Sequence, residues 1–107
     1  MTLAKAEEAN NLYSAAAEET IRLEEKMITV EREISDIEID TEMEAMNTSA
    51  TVTGISSLKK SLLLDNKGYQ VCLGERDLLK IMLRRARAVE ECAKAMMWTT
   101  VYCLKED

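Results

Sequence analysis

The chain has 107 residues, a formal net charge of −6, three glycines, and no proline, histidine or phenylalanine. A chain of this length forms one small domain, and we expect residues 1–107 to fold as one. Without histidine it lacks the commonest general base and the commonest zinc ligand, and its negative charge disfavours indiscriminate binding of nucleic acid. No apolar stretch approaches the roughly 20 residues of a membrane span, so we expect a cytoplasmic protein that does not bind membranes.

The first part of the chain predicts one long helix, from about residue 3 to about residue 46. No proline or glycine interrupts it, and Thr2 can cap its first turn. Apolar and threonine side chains recur at alternating intervals of three and four residues, which is the spacing of a coiled-coil seam. The predicted seam of this helix is Tyr13, Ala16, Thr20, Leu23, Met27, Val30, Ile34, Ile37 and Thr41.

A loop is predicted over residues 47–57 (NTSATVTGISS). This stretch carries no charge and combines hydroxyl groups, β-branched side chains and one glycine. Such a composition is typical of a connection between helices. Ser56 or Ser57 can cap the helix that follows.

The second helix is expected to run from about residue 58 to about residue 104. Asn66 and Gly68 are its weak point, because both residue types favour the end of a helix. The apolar period continues across them, however, so we expect a continuous or kinked helix. Its predicted seam is Leu58, Leu62, Tyr69, Cys72, Leu79, Met82, Ala86, Val89, Ala93 and Met96.

The two halves of the chain carry opposite charge. Residues 1–53 hold four basic and thirteen acidic side chains, whereas residues 54–107 hold ten basic and seven acidic ones. Equal lengths, a short loop and complementary charge predict an all-α antiparallel helical hairpin, a coiled coil. In a register where facing residue numbers add to about 104, Lys59 and Lys60 meet Glu42 and Glu44, Lys80 meets Glu24 and Glu25, and Arg84, Arg85 and Arg87 meet Glu18 and Glu19.

Several apolar residues fall off these seams, and a single partner helix cannot cover them all. Self-association covers them most simply. We therefore expect the hairpin to assemble into a helical bundle as a homo-oligomer. The predicted oligomer interface is Ile21, Ile28, Ile39, Leu78, Ile81 and Leu83.

One basic cluster, RDLLKIMLRRAR, lies in the second helix. Its cations could contact the phosphates of single-stranded DNA or an acidic partner. They could equally pair with the acidic first helix, and the register above favours this second interpretation. The candidate contact residues are Arg76, Lys80, Arg84, Arg85 and Arg87.

Nothing in the sequence points to catalysis. Its glycines are isolated, which argues against a phosphate-binding loop, and paired carboxylates without histidine are typical of a solvated helix face. Cys72, Cys92 and Cys103 form no CxxC pair, so we expect reduced thiols that act as small apolar residues. We predict no enzymatic activity, no metal and no cofactor.

Two short segments precede Trp98: EANNLYS, from Glu8 to Ser14, and DNKGYQ, from Asp65 to Gln70. This order of features resembles small coiled-coil proteins of double-stranded DNA phages, including the recombination-mediator type. The resemblance implies a helical protomer in a ring-like oligomer that contacts single-stranded DNA and a recombinase inside the host cell. The chain departs from that pattern in its negative charge and in the absence of basic residues from the loop at 47–57.

Together these features predict a non-enzymatic, oligomeric coiled-coil adaptor or assembly protein. Its expected partners are further copies of itself and another protein. The first alternative is a phage-type recombination accessory that contacts single-stranded DNA and a recombinase. The second is an acidic helical inhibitor of a basic partner protein.

Overall fold

The computed structural model describes the backbone of residues 2–106 and the side chains of residues 2–102. Over this range the chain is all-helical, with α1 at Leu3–Thr48, α2 at Val52–Asp65 and α3 at Lys67–Glu106. The contacts between these helices are consistent with the predicted helical hairpin. Within the described range, no helix combines the length and the apolar character that crossing a membrane requires. The predicted apolar role of Cys103 falls on a side chain outside the described residues.

The chain forms two compact units. The terminal unit contains Met1–Glu25 and Lys80–Asp107, and the turn unit contains Lys26–Leu79. Each unit buries small and medium-sized side chains from α1 and from α3. The buried residues of the terminal unit are Ala9, Thr20, Leu23, Leu83, Ala93 and Thr100. Those of the turn unit are Val30, Ile34, Thr41, Ala45, Cys72 and Leu79.

The predicted seam of α1 is confirmed, since all nine of its residues are buried or half-buried. Leu23 is the most enclosed large side chain among the described residues, with 2% of its surface exposed. Two seam positions are threonines, whose hydroxyl groups donate to the carbonyl oxygen four residues earlier. Thr20 Oγ1 lies 3.1 Å from the Ala16 oxygen, and Thr41 Oγ1 lies 2.7 Å from the Ile37 oxygen. These local bonds satisfy hydroxyl groups that would otherwise be buried without a partner.

The loop is much shorter than predicted. Helix α1 continues to Thr48 and α2 begins at Val52, so residues 49–51 alone connect them, and the prediction of a loop over 47–57 is wrong. Thr51 is the N-cap, accepting a 3.0 Å hydrogen bond from the Gly54 N–H through its hydroxyl oxygen. The predicted capping serines at 56 and 57 lie inside α2.

Gly54 has a steric role beside this cap. A Cβ atom at this position would come within 2.7 Å of Thr51 Oγ1, and Ser49 Oγ would be closer still. Real Cβ contacts are essentially never that short. The absence of a side chain at Gly54 therefore leaves room for the capping hydroxyl.

A full break separates α2 from α3, contrary to the expectation of a continuous or kinked helix. Asn66 has extended backbone angles, φ −81° and ψ 105°, and its N–H donates to the Leu63 oxygen at the end of α2. Its side-chain oxygen accepts a 2.9 Å hydrogen bond from the Tyr69 N–H at the start of α3. One asparagine thus caps both helices, because its side chain satisfies a donor that the interrupted helix would leave open.

The seam of α3 departs from the predicted phase after Leu79. Val89 and Met96, which were expected in the seam, are 60% and 56% exposed. In each case the next residue, Glu90 or Met97, is half-buried instead. One series of buried and half-buried positions recurs at intervals of three and four residues: Tyr69, Cys72, Arg76, Leu79, Leu83, Ala86, Glu90, Ala93, Met97 and Thr100.

Candidate interaction site

Most of the apolar residues predicted to lie off the seam are exposed. On α1, Ile21, Ile28 and Ile39 expose 54%, 56% and 52% of their surface, and on α3, Leu78 and Ile81 expose 58% and 47%. Isolated exposed apolar residues are ordinary on a protein surface, but a set at helical spacing marks an interaction face. Each of these five residues is a candidate interface residue on its own helix.

Leu83 does not belong to this interface, because only 6% of its surface is exposed. The prediction that it lies off the seam is wrong. The error follows from the phase of α3: Arg76 and Glu90 occupy half-buried seam positions, and charged residues give no apolar signal there. With those two positions recognised, Leu83 follows Leu79 by four residues and falls in the seam.

The surface of α3 in the terminal unit contains a second regular set, which the apolar pattern missed. We name it the outer stripe: Ile81, Arg85, Ala88, Cys92, Ala95, Thr99 and Tyr102, all exposed. Its intervals alternate between four and three residues, as those of the seam do. The stripe is composed largely of small side chains, and only its spacing could have revealed it in the sequence.

Aromatic side chains stand near the described end of α3. Trp98 and Tyr102 are 59% and 63% exposed. With Thr99 and Val101 they line an open, mostly apolar depression of about 490 Å³. Exposed tryptophan and tyrosine are typical anchors of protein interfaces, so this end of the helix extends the candidate interface.

The basic cluster is divided by the fold. Lys80, Arg84 and Arg85 are exposed on α3. Arg87 Nη2 lies 3.5 Å from Glu24 Oε1, with both side chains about half exposed. An exposed pair of this kind contributes roughly 0.2–1 kcal/mol, so it influences orientation more than stability.

The partner of Arg87 differs from the prediction. Glu24 lies about one and a half helical turns beyond Glu18 and Glu19, the residues expected beside Arg87. Glu19 instead forms an ion pair within α1 with Arg22. Near the connection between α1 and α2 the predicted register is closer to the structure, because Lys59 Nζ lies 3.8 Å from Glu42 Oε2.

Arg76, the first residue of the basic cluster, is half-buried in the seam of the turn unit rather than presented to solvent. Its Nε atom is buried without a hydrogen-bond partner, and Asp77 Oδ1 is 3.7 Å away. That distance is too long for a hydrogen bond. Arg76 therefore differs from Lys80, Arg84 and Arg85, whose side chains are open to a partner.

Two polar contacts join α1 to α3 within the turn unit. The Cys72 thiol donates to Glu33 Oε2 at 3.5 Å, and the Tyr69 hydroxyl donates to Glu38 Oε1 at 3.3 Å. Burial, followed by the hydrogen bond and the negative charge of Glu33, raises the pKa of the Cys72 thiol. Burial, followed by the charge of Glu38 and its hydrogen bond, raises the pKa of Tyr69.

Both groups are neutral when protonated, so their raised pKa values stabilise the folded state below the ordinary values of 9.0 and 10.0. This contribution is lost as the pH rises above those values and through the raised pKa values of the folded state. Cys72 is a buried structural thiol, as predicted, whereas Cys92 is exposed on the outer stripe. Cys92 is a free thiol, as expected, but it is exposed rather than packed as a small apolar residue.

In the part of the chain that the structure describes, no three Cys, Asp or Glu side chains are grouped as metal ligands. No family model, curated protein or solved structure matches this chain.

Proposed function

We propose that this chain is a non-enzymatic coiled-coil adaptor or assembly protein, which acts in the cytoplasm as a homo-oligomer and binds another protein in that form. The observation that supports this best is the exposure of the five candidate interface residues, Ile21, Ile28, Ile39, Leu78 and Ile81. The regular seams of α1 and α3 support the coiled-coil description.

The magnitude of this exposure indicates how many side chains a contact between copies must use. Complete burial of a leucine or isoleucine side chain contributes roughly 1.5–3 kcal/mol, so covering the exposed half of one contributes roughly 1 kcal/mol. One or two such residues contribute less than the roughly 4–15 kcal/mol cost of association, so we expect each contact between copies to use several exposed side chains.

We expect the wild-type protein to be larger than a monomer at micromolar concentration, and the double variant Ile21→Glu/Ile28→Glu to shift it toward monomer. Each glutamate would place a charge in a contact that excludes water. Light scattering coupled to size-exclusion chromatography measures the mass. The matched control is Asn10→Glu/Asn11→Glu, which adds the same charge at exposed polar positions of α1 and should leave the mass unchanged. A wild-type protein that stays monomeric would refute the proposal.

A second candidate function is the recombination accessory that contacts single-stranded DNA. It is favoured by the exposure of Lys80, Arg84 and Arg85, whose charges are open to a polyanion. The pairing of Arg87 with Glu24 and the net charge of −6 weigh against it.

Fluorescence anisotropy with a labelled oligonucleotide at low salt distinguishes these functions. If the cluster binds phosphates, affinity should fall with salt by about 0.7 logarithmic units per phosphate neutralised. The triple variant Arg84→Gln/Arg85→Gln/Arg87→Gln should then weaken binding and flatten that dependence by up to ~2 units. For an adaptor we expect no binding in either protein. Tight binding of a basic protein, with none of the oligonucleotide, would instead favour an acidic inhibitor.

A further inference from the structure

The second half of α1 carries a row of large exposed apolar side chains. Its members expose 52–58% of their surface: Ile28, Ile39, Met43 and Met46. At 100° per residue they lie roughly 140–200° around the helix from Thr41, which is buried in the turn unit. The turn unit therefore leaves this side of α1 open, and a row of four large side chains differs from the single exposed apolar residues that are ordinary on a surface.

Acidic side chains border this row. Residues 28–46 hold seven acidic groups and one basic group, Arg32, which lies on the row itself. Glu31 and Asp36 border the row on opposite sides, and both are exposed. In the part of the chain that the structure describes, neither of these two carboxylates forms an ion pair. We name the row together with Glu31 and Asp36 the acidic face.

Helix α3 carries an exposed row of opposite charge within the terminal unit. Ile81, Val89 and Met96 expose 47%, 60% and 56% of their surface, and they fall within roughly 80° of the helix circumference. Arg85 lies within this row and Arg84 beside it, and residues 80–96 hold five basic and two acidic groups. Over the described range neither arginine forms an ion pair. We name these five residues the basic face, which shares Ile81 and Arg85 with the outer stripe.

We propose that the acidic face of one copy of this chain binds the basic face of a second copy. This inference rests on the proposed self-association and specifies its contact surfaces. The two faces match in length, since about 27 Å separates Ile28 from Met46 and about 22 Å separates Ile81 from Met96 along their helices. Together they contribute seven large apolar side chains, so the contact uses several of them, as the cost of association requires.

Charge selects this combination of faces. A contact between two acidic faces would bring Glu31 and Asp36 of both copies together, and a contact between two basic faces would do the same for the arginines. Like charges across a contact are unfavourable, whereas carboxylates and guanidinium groups form strong charge-assisted hydrogen bonds. A basic segment of another protein could match the acidic face only. The second copy accounts for both faces, because the same chain supplies the acidic groups and the cations that lack partners.

Reversing the charge of either face should weaken self-association. The variant Glu31→Lys/Asp36→Lys makes the acidic face basic and changes the formal net charge from −6 to −2, whereas Arg84→Glu/Arg85→Glu makes the basic face acidic and changes it from −6 to −10. Each variant should raise the dissociation constant of the oligomer at least about tenfold, because it places like charges across the contact. Light scattering coupled to size-exclusion chromatography over a series of concentrations at low salt measures this change.

The decisive variant combines all four substitutions in one chain. Its faces carry exchanged charges, so opposite charges again meet across the contact, and its formal net charge returns to −6. We expect it to regain the wild-type mass, with a dissociation constant within about threefold of the wild-type value. If both double variants dissociate and the combined variant does not associate again, the proposed pairing of faces is overturned.

Two control variants make the same changes in net charge away from both faces. Glu7→Lys/Glu8→Lys and Lys60→Glu/Lys67→Glu alter exposed residues, and both should keep the wild-type mass. Equal dissociation in the control and face variants would attribute the effect to net charge and overturn the proposal. Dissociation of only one of the two face variants would also overturn it, because the contact needs both faces.

The wild-type mass separates failure of these faces from failure of self-association. A monomeric wild-type protein would refute both proposals, whereas an oligomer that both double variants leave intact would refute the faces alone. Circular dichroism identifies a variant that fails to fold. For a double variant the neutral pair Glu31→Gln/Asp36→Asn or Arg84→Gln/Arg85→Gln replaces it and should lower the mass, so an unchanged mass would overturn the proposal. For the combined variant an equimolar mixture of the two double variants replaces it, and a mixture no heavier than its components would overturn the proposal.

Discussion

Replacing Leu23 by alanine is expected to lower the free energy of unfolding by about 2–5 kcal/mol. Leu23 exposes 2% of its surface, so the substitution loses the transfer free energy of the removed carbons and leaves a cavity beside α1. A small domain is stable by only about 5–15 kcal/mol, and the variant should therefore be largely unfolded at moderate urea concentrations.

Urea unfolding followed by circular dichroism measures this loss, at one protomer concentration because association changes apparent stability. The matched control is Leu12→Ala, the same substitution in the same unit at a residue that is 51% exposed. We expect it to change stability by no more than about 0.5 kcal/mol. Equal losses in the two variants would show that α1 does not bury the predicted face.

Replacing Ala45 by leucine is expected to destabilise the turn unit by about 1–3 kcal/mol. Ala45 is completely buried, and its carbonyl oxygen accepts a 2.9 Å hydrogen bond from the Ser49 N–H where α1 ends. Three additional carbon atoms there would displace a neighbouring helix or force the leucine into a strained rotamer.

The control for overpacking is Ala15→Leu, because Ala15 is exposed on the same helix and leucine has nearly the same helix propensity as alanine. Thermal unfolding should show a lower midpoint for Ala45→Leu alone. If Ala45→Leu matched or exceeded the wild-type stability, close packing around Ala45 would be disproved.

The sequence predicted α1 well because the residues of its seam differ clearly in polarity from those between them. Apolar residues such as Leu23, Val30 and Ile34 alternate with long charged stretches, and no helix breaker interrupts them. The period therefore indicated both the helix and its buried side. The threonines in the seam were identified through their spacing, although their hydroxyl groups need the carbonyl oxygens of the preceding turn.

The connection between α1 and α2 and the seam of α3 were predicted less well, because they depend on single residues rather than on a long pattern. Hydroxyl groups near residue 50 were interpreted as loop formers, yet Thr51 caps a helix that begins one residue later. Asn66 was recognised as a weak point, but spacing alone could not show that it ends one helix and begins the next. Arg76 and Glu90 hide the seam of α3 in the sequence. Both side chains are half-buried, whereas charged residues are normally expected to be exposed.

The candidate interface was predictable in part. Large residues such as Ile21 and Ile81 stood out because no seam could include them. Ala88 and Ala95 did not, because alanine is common on every face of a helix. The charge register was predicted correctly for Lys59 and missed for Arg87, since long flexible side chains reach partners a turn or more away.

The double role of Asn66 also limits which residues can replace it. An aspartate at this position would still accept the Tyr69 N–H, since aspartate caps helices as well as asparagine does. Its negative charge would lie at the positive end of α3 and also at the negative end of α2, so the two electrostatic effects oppose each other. A neutral side chain that can accept a hydrogen bond therefore suits a residue that ends one helix and begins the next.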